Sequence, residues 1–303
     1  MTLLISGWVA IDELETPFGK AEGALGGPAS YAAIAASLFT DVRLLAGVGE
    51  DFPPAFRASL ARPNIDLAGL TTLPGKTSRW GARYHYDMNT RDVLYTDVNV
   101  NAQWQPTLPP GWEDSQSLFL AAAHPAVQMQ IASMLPGLRT SLVDTIRYFI
   151  ELVPDEVKQA MAGATFATVN EGEARELAGT PSIANAGRKL LANGGRGVIV
   201  KLGEYGAAFV SHDDYFVAPG YPLEEIVDPT GAGDTFGGGF MGYLDTVHEV
   251  NVREIRRAMI YGSTVASFAV EGFGPERLVR LTRADVEQRY RQFRALTHFE
   301  VDE

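Results

Sequence analysis

The pattern of apolar and polar positions along the chain predicts strands that alternate with helices, and this alternation is most regular in the second half of the sequence. The predicted strands are 3–11, 42–48, 117–122, 141–144, 165–169, 197–201 and 207–210. The predicted helices are 27–39, 126–135, 154–162, 171–178, 183–193, 234–246, 252–270 and 283–297. Strands alternating with helices of this length favour an α/β fold, with a mainly parallel central sheet covered by helices on both faces.

Residues 77–100 depart from this alternation, because they show no helical periodicity and predict two strands joined by a turn at 87–92. On the first strand one face carries Trp80, Ala82, Tyr84 and Tyr86. A second extended segment spans 12–25, so the two segments predict a small β-sheet beside the main body. It is either a structural insertion or a lid whose aromatic face covers a ligand. We predict one domain over 1–303, with the lid formed from about 12–25 and 77–100.

Composition narrows the classes of function. The 303 residues include 25 Lys and Arg against 37 Asp and Glu, a net charge of −12, which argues against a nucleic-acid binder. The absence of Cys excludes disulfides, thiolate nucleophiles and Cys-ligated metals, and fits a cytoplasmic protein. The N-terminal apolar run lacks a basic flank and predicts a strand instead of a signal peptide, and no stretch has the length of a membrane span.

The strongest chemical signal is the segment 228–240, Asp-Pro-Thr-Gly-Ala-Gly-Asp-Thr-Phe-Gly-Gly-Gly-Phe. Gly231 and Gly233 flank Ala232 and allow a tight turn that a ligand can approach closely. A helix predicted to begin near Asp234 directs unpaired N–H groups and the positive end of its dipole at that turn. The segment therefore predicts an anion site suited to a phosphate or to phosphoryl transfer.

Asp234 is unusual in such a place, because a carboxylate repels a permanently bound phosphate. It suits a group that accepts a proton from a hydroxyl attacking the phosphate; the alternative is a helix cap. No Gly-x-x-x-x-Gly-Lys-Ser/Thr motif occurs, which excludes a P-loop enzyme. Phe236 stands where the dinucleotide-binding fingerprint requires a glycine, which excludes a dehydrogenase with that fingerprint as well.

Other candidates lie at predicted strand ends. Asn170 and Glu173 have the spacing of a reciprocal helix cap. Asp12 follows the first apolar run at the predicted mouth of the sheet, where a carboxylate can accept two hydrogen bonds from the vicinal diol of a sugar. A turn residue is the simpler role for Asp12. Gly26 and Gly27 would permit close approach of the same sugar.

Three motifs together carry a resemblance to a known family. Segment 228–240 resembles the C-terminal signature of the ribokinase-like (PfkB) sugar and nucleoside kinases. Gly26-Gly27-Pro28-Ala29 is similar to the family's N-terminal glycine pair, and Asn170 to Glu173 match its Asn-x-x-Glu element. The resemblance implies an ATP-dependent kinase that uses magnesium and phosphorylates a hydroxymethyl group of a sugar or sugar-like molecule. A nucleoside kinase of the same fold and a catalytically silent ligand-binding protein are the alternatives.

The resemblance also implies roles for individual residues. Asp234 would be the catalytic base, the N–H groups of Gly231, Ala232 and Gly233 the anion hole, and Asp12, Gly26 and Gly27 the substrate-binding residues. Asn170 would lie near the phosphates, Glu173 would order water around magnesium, and the turn with Lys201, Gly203 and Gly206 would bind nucleotide. Lys201 either reaches a phosphate or is a solvated strand-end residue.

Two further expectations follow from the same resemblance. Asp228 could contribute to a monovalent cation site, although the segment 271–275 departs from the sequence that often helps to bind that cation. A separate departure from the family pattern is Pro53, which stands where glycine is usual. A homodimer through the lid is expected from family habit, and sedimentation as a monomer would refute it.

Overall fold

The computed structural model describes residues 2–298, which form a large central sheet, a small sheet and flanking helices. The strands are β1 Thr2–Ser6, β2 Ala10–Thr16, β3 Gly19–Gly26, β4 Asp41–Gly49, β5 Ile65–Asp66, β6 Leu70–Leu73, β7 Ser78–Tyr84, β8 Arg91–Asp97, β9 Ser117–Leu120, β10 Thr140–Asp144, β11 Phe166–Asn170, β12 Gly197–Lys201, β13 Ala207–Val210 and β14 Tyr215–Ala218. The helices are α1 Pro28–Ala36, α2 Pro54–Leu60, α3 Pro125–Ser133, α4 Arg147–Leu152, α5 Pro154–Gly163, α6 Glu171–Ala178, α7 Ile183–Leu191, α8 Ala232–Asp245, α9 Val252–Ala269, α10 Glu276–Val279 and α11 Arg283–Thr297.

The central sheet has the order β14-β13-β12-β11-β10-β9-β1-β4-β5, with β6 also paired to β4. Its pairs are parallel from β12 through β5, and only β13 and β14 join antiparallel. The predicted α/β fold with a mainly parallel sheet is therefore confirmed. Parallel strands bring their carboxyl ends to one edge, the usual place for a ligand in an open α/β sheet.

Helices cover both faces of this sheet, as the apolar strands predict. In β1, Leu3 and Ile5 pack into a core shared with α1, α8 and α9, whereas Leu4 packs into a second core shared with α3, α5 and α7. Alternate residues of one strand thus supply both cores. Within residues 2–298, none of the helices combines the length and the hydropathy of a membrane-spanning segment.

The small sheet is confirmed, with the order β3-β2-β7-β8. The prediction of one strand over 3–11 was wrong, because β1 ends at Ser6 and the chain passes into the small sheet at Ala10. The apolar residues continue through this crossover since Val9 and Ala10 are buried too, so hydrophobicity alone conceals it. Asp12 consequently lies within β2 of the small sheet and not at the end of a central strand.

The predicted aromatic face of the small sheet is correct for part of its length. Trp80, Ala82 and Tyr84 pack together with Met88. Tyr86, predicted to share this face, is 84% exposed, because β7 ends at Tyr84 and the strand alternation stops there.

Three consecutive glycines of α8 fix the position of this helix. A Cβ on Gly237 would lie 2.4 Å from the ring of Phe119 in β9, and one on Gly238 would lie 2.4 Å from the carbonyl oxygen of Ala32 in α1. A Cβ on Gly239 would lie 3.2 Å from Gly262 in α9. Because only glycine permits this packing, α8 fits between α1, α9 and the sheet, and its N-terminus is held at the carboxyl edge.

Candidate active site

Polar side chains gather where β10, β11 and β12 end. Asp144, Asn170 and Lys201 are the last residues of these strands, and Asn170 is paired in register with Lys201. The Lys201 Nζ donates a hydrogen bond to Asp144 Oδ2 at 2.7 Å. It also lies 3.1 Å from the position that a Cβ on Gly233 would occupy. Lys201 therefore connects the strand ends to the first turn of α8.

The N-terminus of α8 has the geometry expected of an anion site. Its N-cap is Gly231, with φ at 75°, and a Cβ there would lie 2.4 Å from the ring of Tyr31. The Ala232 N–H donates to the carbonyl of Pro229 at 3.3 Å. Within residues 2–298 the N–H groups of Gly231 and Gly233 have no such partner. These two N–H groups, at the positive end of the helix dipole, are available to an anion.

Asp234 is the third residue of α8 and does not cap it, because the N-cap position is Gly231. Burial, with repulsion from Asp144, raises the pKa of Asp234 to about 7, against the opposing charges of Lys201 and Arg91. A carboxyl group that titrates near neutral pH is suited to take up a proton during a reaction.

The reciprocal cap predicted at the start of α6 is present. The Asn170 N–H donates to Glu173 Oε2 at 2.8 Å, and the Glu173 N–H donates to Asn170 Oδ1 at 2.9 Å. Glu173 is buried, and burial raises its pKa. The cap thus fixes a carboxylate beside the strand-end cluster.

Charge is unevenly balanced in this cluster. Burial lowers the pKa of Lys201, but Asp144, Glu173 and Asp234 together raise it above its ordinary value. Lys201 is therefore an ammonium facing three carboxyl groups. With Arg91, whose charge also acts on Asp234 and Glu173, two cations face three carboxyl groups, and a cluster rich in carboxyl groups suits a further cation.

The turn after β12, predicted to bind nucleotide, is shaped by two glycines. Gly203 and Gly206 have φ values of 62° and 99°, and Leu202 N–H donates to Gly206 C=O at 2.7 Å. A Cβ on Gly203 would lie 2.5 Å from Asn89 Oδ1, at the tip of the small sheet. The small sheet therefore reaches across the cleft to this turn.

The predicted substrate residues meet on the other side of the cleft. A Cβ on Gly26 would lie 2.0 Å from the Asp12 carboxyl group, so only glycine fits there. Burial raises the pKa of Asp12 to about 8. A hydrogen bond from the Gly27 N–H partly offsets this rise, and the charges of Asp228 and Asp234 add to it. Asp12 Oδ1 is buried with no hydrogen-bond partner among residues 2–298. Such an atom is costly unless a ligand hydroxyl satisfies it.

Asp228 anchors the loop that precedes α8. Its Oδ1 accepts from Thr230 N–H at 2.9 Å and its Oδ2 from Gly274 N–H at 3.3 Å. Both oxygens of this fully buried carboxylate therefore hold backbone in place. Within residues 2–298 no group of three or more acidic, His or Cys side chains is arranged to bind a metal, and the monovalent cation stays a prediction.

Sequence reasoning missed three residues of the site. Asp144 ends a predicted strand, and the rule that singled out Lys201 could have found it. Arg91 lies in the predicted turn of the small sheet and gave no signal. Its guanidinium stacks over Trp80 at 5.6 Å and over Tyr84 at 5.9 Å, measured to the ring centroids.

Tyr31, the third, was predicted only as part of an apolar helix. Its hydroxyl is buried with no hydrogen-bond partner among residues 2–298. Burial is the main cause that raises the pKa of Tyr31 well above its ordinary value, and the nearby charges of Asp12, Asp228 and Asp234 raise it further. Tyr84 joins the small sheet to the same region, since its hydroxyl accepts a hydrogen bond from Thr230 Oγ1 at 3.1 Å.

Comparison with known proteins agrees with this geometry. The chain matches the pfkB family of carbohydrate kinases over residues 12–279. It is 30% identical over 249 residues to a cytidine kinase from Thermococcus kodakarensis, covering 80% of this chain and 88% of that protein. Two solved structures are similar in fold, each with 19% identity and a TM-score of 0.78. They are a putative ribokinase II from E. coli in complex with ATP and Mg²⁺, covering 96% of this chain and 99% of that one, and a fructokinase from Vibrio cholerae with fructose, ADP and calcium, covering 95% and 98%.

The fold, the family match and these relatives define a phosphotransferase with an alcohol group as acceptor, of the class that phosphorylates sugars or nucleosides with ATP. The chain belongs to the PfkB family of carbohydrate kinases.

Proposed function

We propose that the protein transfers the γ-phosphoryl group of ATP to a hydroxymethyl group of a sugar or nucleoside, with Asp234 as the base. The observation that carries this proposal is the position of Asp234. It stands in the first turn of a helix whose N-terminus carries free N–H groups, with its pKa near 7 and Lys201 alongside. A purely structural carboxylate would gain nothing from this costly placement.

The reaction balances with the groups present. The acceptor oxygen attacks phosphorus in line, the new O–P bond forms as the bond from phosphorus to the β-γ bridging oxygen breaks, and ADP leaves. Asp234 takes the acceptor proton. The N–H groups of Gly231 and Gly233 and the ammonium of Lys201 stabilise negative charge on the transferring group. Asp12 and the Gly26-Gly27 pair orient the acceptor.

Magnesium fits the excess negative charge of the strand-end cluster. Glu173 and Asp144 are the carboxylates that would hold its water shell, and Asn170 fixes Glu173 through the cap. When bound, the ion neutralises phosphate charge. The chain's own net charge of −12 makes such local neutralisation necessary.

The small sheet is proposed to act as the lid of a single kinase domain. It lies against the turn after β12 through Asn89 and against the loop before α8 through Tyr84. A cover at both places excludes water from the transferring phosphoryl group and limits hydrolysis of ATP. Action in the cytoplasm and dimerisation through the lid remain predictions.

Arg91 is proposed to add positive charge to the transition state from this lid, since its charge already lowers the pKa of Asp234 and of Glu173. We expect Arg91→Met to lower kcat by roughly 100- to 1,000-fold, the size typical of one lost stabilising donor. Steady-state kinetics measure this. Arg83→Met, which removes an exposed arginine of the same sheet paired with Glu15, is the control and should keep wild-type kcat. Equal kcat in both variants would exclude the role of Arg91.

The test of the proposed function is a screen for phosphorylated product. Purified protein is incubated with ATP, magnesium and single acceptors drawn from ketoses, aldopentoses, inositols and nucleosides. We expect product from at least one acceptor and none with Asp234→Asn. A protein that binds acceptors without ever consuming ATP would be a silent binding protein, and the kinase proposal would be rejected.

A further inference from the structure

A cavity of about 370 Å³ opens at the carboxyl edge of the central sheet, beside the crossover from β1 into the small sheet. Aromatic rings dominate its wall. Trp8, His124 and Tyr148 surround Phe149, with ring centroids 5.5, 5.5 and 5.2 Å from that of Phe149. Trp104 also lines it. The mechanism above uses none of these residues.

The cavity adjoins the acceptor site. Asn101 lines the cavity and donates from Nδ2 to Ser78 Oγ at 2.6 Å, and Ser78 is paired in register with Ala10. Ala10 stands two residues before Asp12 on β2, about 7 Å along the strand. Trp8 accepts at its carbonyl from Ala29 N–H, so it also borders the Gly27 turn. A molecule held at Asp12 can therefore extend into the cavity.

The wall offers polar groups as well as rings. His124 Nδ1 accepts from the Ala126 N–H at 3.2 Å, which places the proton of the neutral ring on Nε2 and makes that atom a donor. Asn101 Oδ1 is buried with no partner among residues 2–298 and is an acceptor. Flat aromatic walls with one donor and one acceptor match a planar heterocycle, whereas the hydroxyls of a second sugar ring would lose water against these rings without compensation.

We propose that this cavity binds the nucleobase of a nucleoside whose ribose lies at Asp12, so that the acceptor is a nucleoside and not a free sugar. The proposal rests on the proposed kinase function for its chemistry, but binding in the cavity can be measured without it. Stacking on Trp8 and Tyr148 provides the affinity, and His124 and Asn101 read the edge of the base.

Kinetics and binding test the proposal together. With ATP and magnesium we expect at least one of cytidine, uridine, adenosine and guanosine to give a kcat/KM about 100-fold above that of ribose. Trp8→Ala and Tyr148→Ala should each lower the ratio of nucleoside to ribose kcat/KM about tenfold or more, as loss of one stacking partner does. Tyr215→Ala, at an equally exposed tyrosine on β14, is the matched control and should leave the ratio unchanged.

The second measurement is quenching of tryptophan fluorescence by the same nucleosides without ATP, which should become smaller and need more nucleoside in Trp8→Ala, where Trp104 is the tryptophan left in the cavity wall. Ribose or fructose phosphorylated more efficiently than every nucleoside would overturn the inference and leave the kinase function standing. Failure of every nucleoside to bind would also overturn it. Binding that depends on Trp8 without any phosphorylated product would support the cavity assignment and reject the kinase function instead.

Discussion

Asp234→Asn should lower kcat by roughly 10³-fold, because the acceptor hydroxyl then loses the group that removes its proton, a contribution typical of a general base. The amide keeps the shape of the side chain and the first turn of α8, so the affinity for ATP should stay within a few-fold of wild type. Product formation at saturating ATP and acceptor measures kcat, and a binding titration measures the affinity for ATP. Wild-type turnover of the purified variant would reject Asp234 as the base.

Stability separates this effect from misfolding. The folded protein holds the Asp234 proton up to about pH 7, whereas the unfolded chain releases it near pH 4, so the wild-type protein loses stability as pH rises through this interval. Asparagine cannot ionise and avoids this loss. The variant should therefore have a higher Tm than wild type at pH 8, with the difference shrinking at pH 4. A lower Tm at pH 8 would show that Asp234 is needed for folding.

Lys201→Gln should raise the KM for ATP about tenfold or more and destabilise the protein. The nucleotide phosphates lose a cation at the first turn of α8, and Asp144 is left as a buried carboxylate without its partner, a change worth about 3–5 kcal/mol. Because Lys201 lowers the pKa of Asp234, the acidic limb of the kcat/KM profile should move above pH 7. Initial rates at varied ATP between pH 5 and 9 measure the KM and the pH profile, and thermal unfolding measures the stability.

A double variant distinguishes the two roles of Lys201. Lys201→Gln/Asp144→Asn removes the unpaired charge, so its Tm should recover while the KM for ATP stays high. Lys189→Gln, which removes an exposed lysine of α7, should change neither quantity. Recovery of both Tm and KM in the double variant would show that Lys201 only balances Asp144 and does not bind nucleotide.

Local signals predicted much of the fold and part of the site. Periodicity gave β12, β13, α6 and α11 with their observed bounds, because these elements have one buried face or two and clear ends. Asn170 and Glu173 lie three residues apart, and a cap needs only that spacing and a preceding strand. The motif around Asp234 carries its own turn and helix start, so its local geometry could be predicted without the rest of the chain.

Other parts of the site arise from residues that are far apart in sequence. Arg91 reaches the field of Asp234 only because the small sheet folds back over the cleft, and no local pattern encodes that approach. The hydrophobic pattern does not show where the chain leaves β1 and enters β2, because Val9 before β2 and Ala10 within it are both buried. For that reason Asp12 was predicted at the end of a central strand and lies instead within β2, while its role toward an acceptor stays a prediction.

The sequence by itself determined the alternation of strands and helices, the glycine turn before α8 and the kinase family, since each depends on residues close together in the chain or on their periodicity. Tertiary structure alone decided the electrostatics of the site and its neighbours. Burial and the approach of Asp144, which lies 90 residues earlier in the chain, raise the pKa of Asp234 to about 7, and Lys201 moderates it. The aromatic cavity beside the crossover from β1 to β2 likewise exists only in the folded chain, because rings such as Trp8, Trp104 and Tyr148 come from segments far apart in sequence.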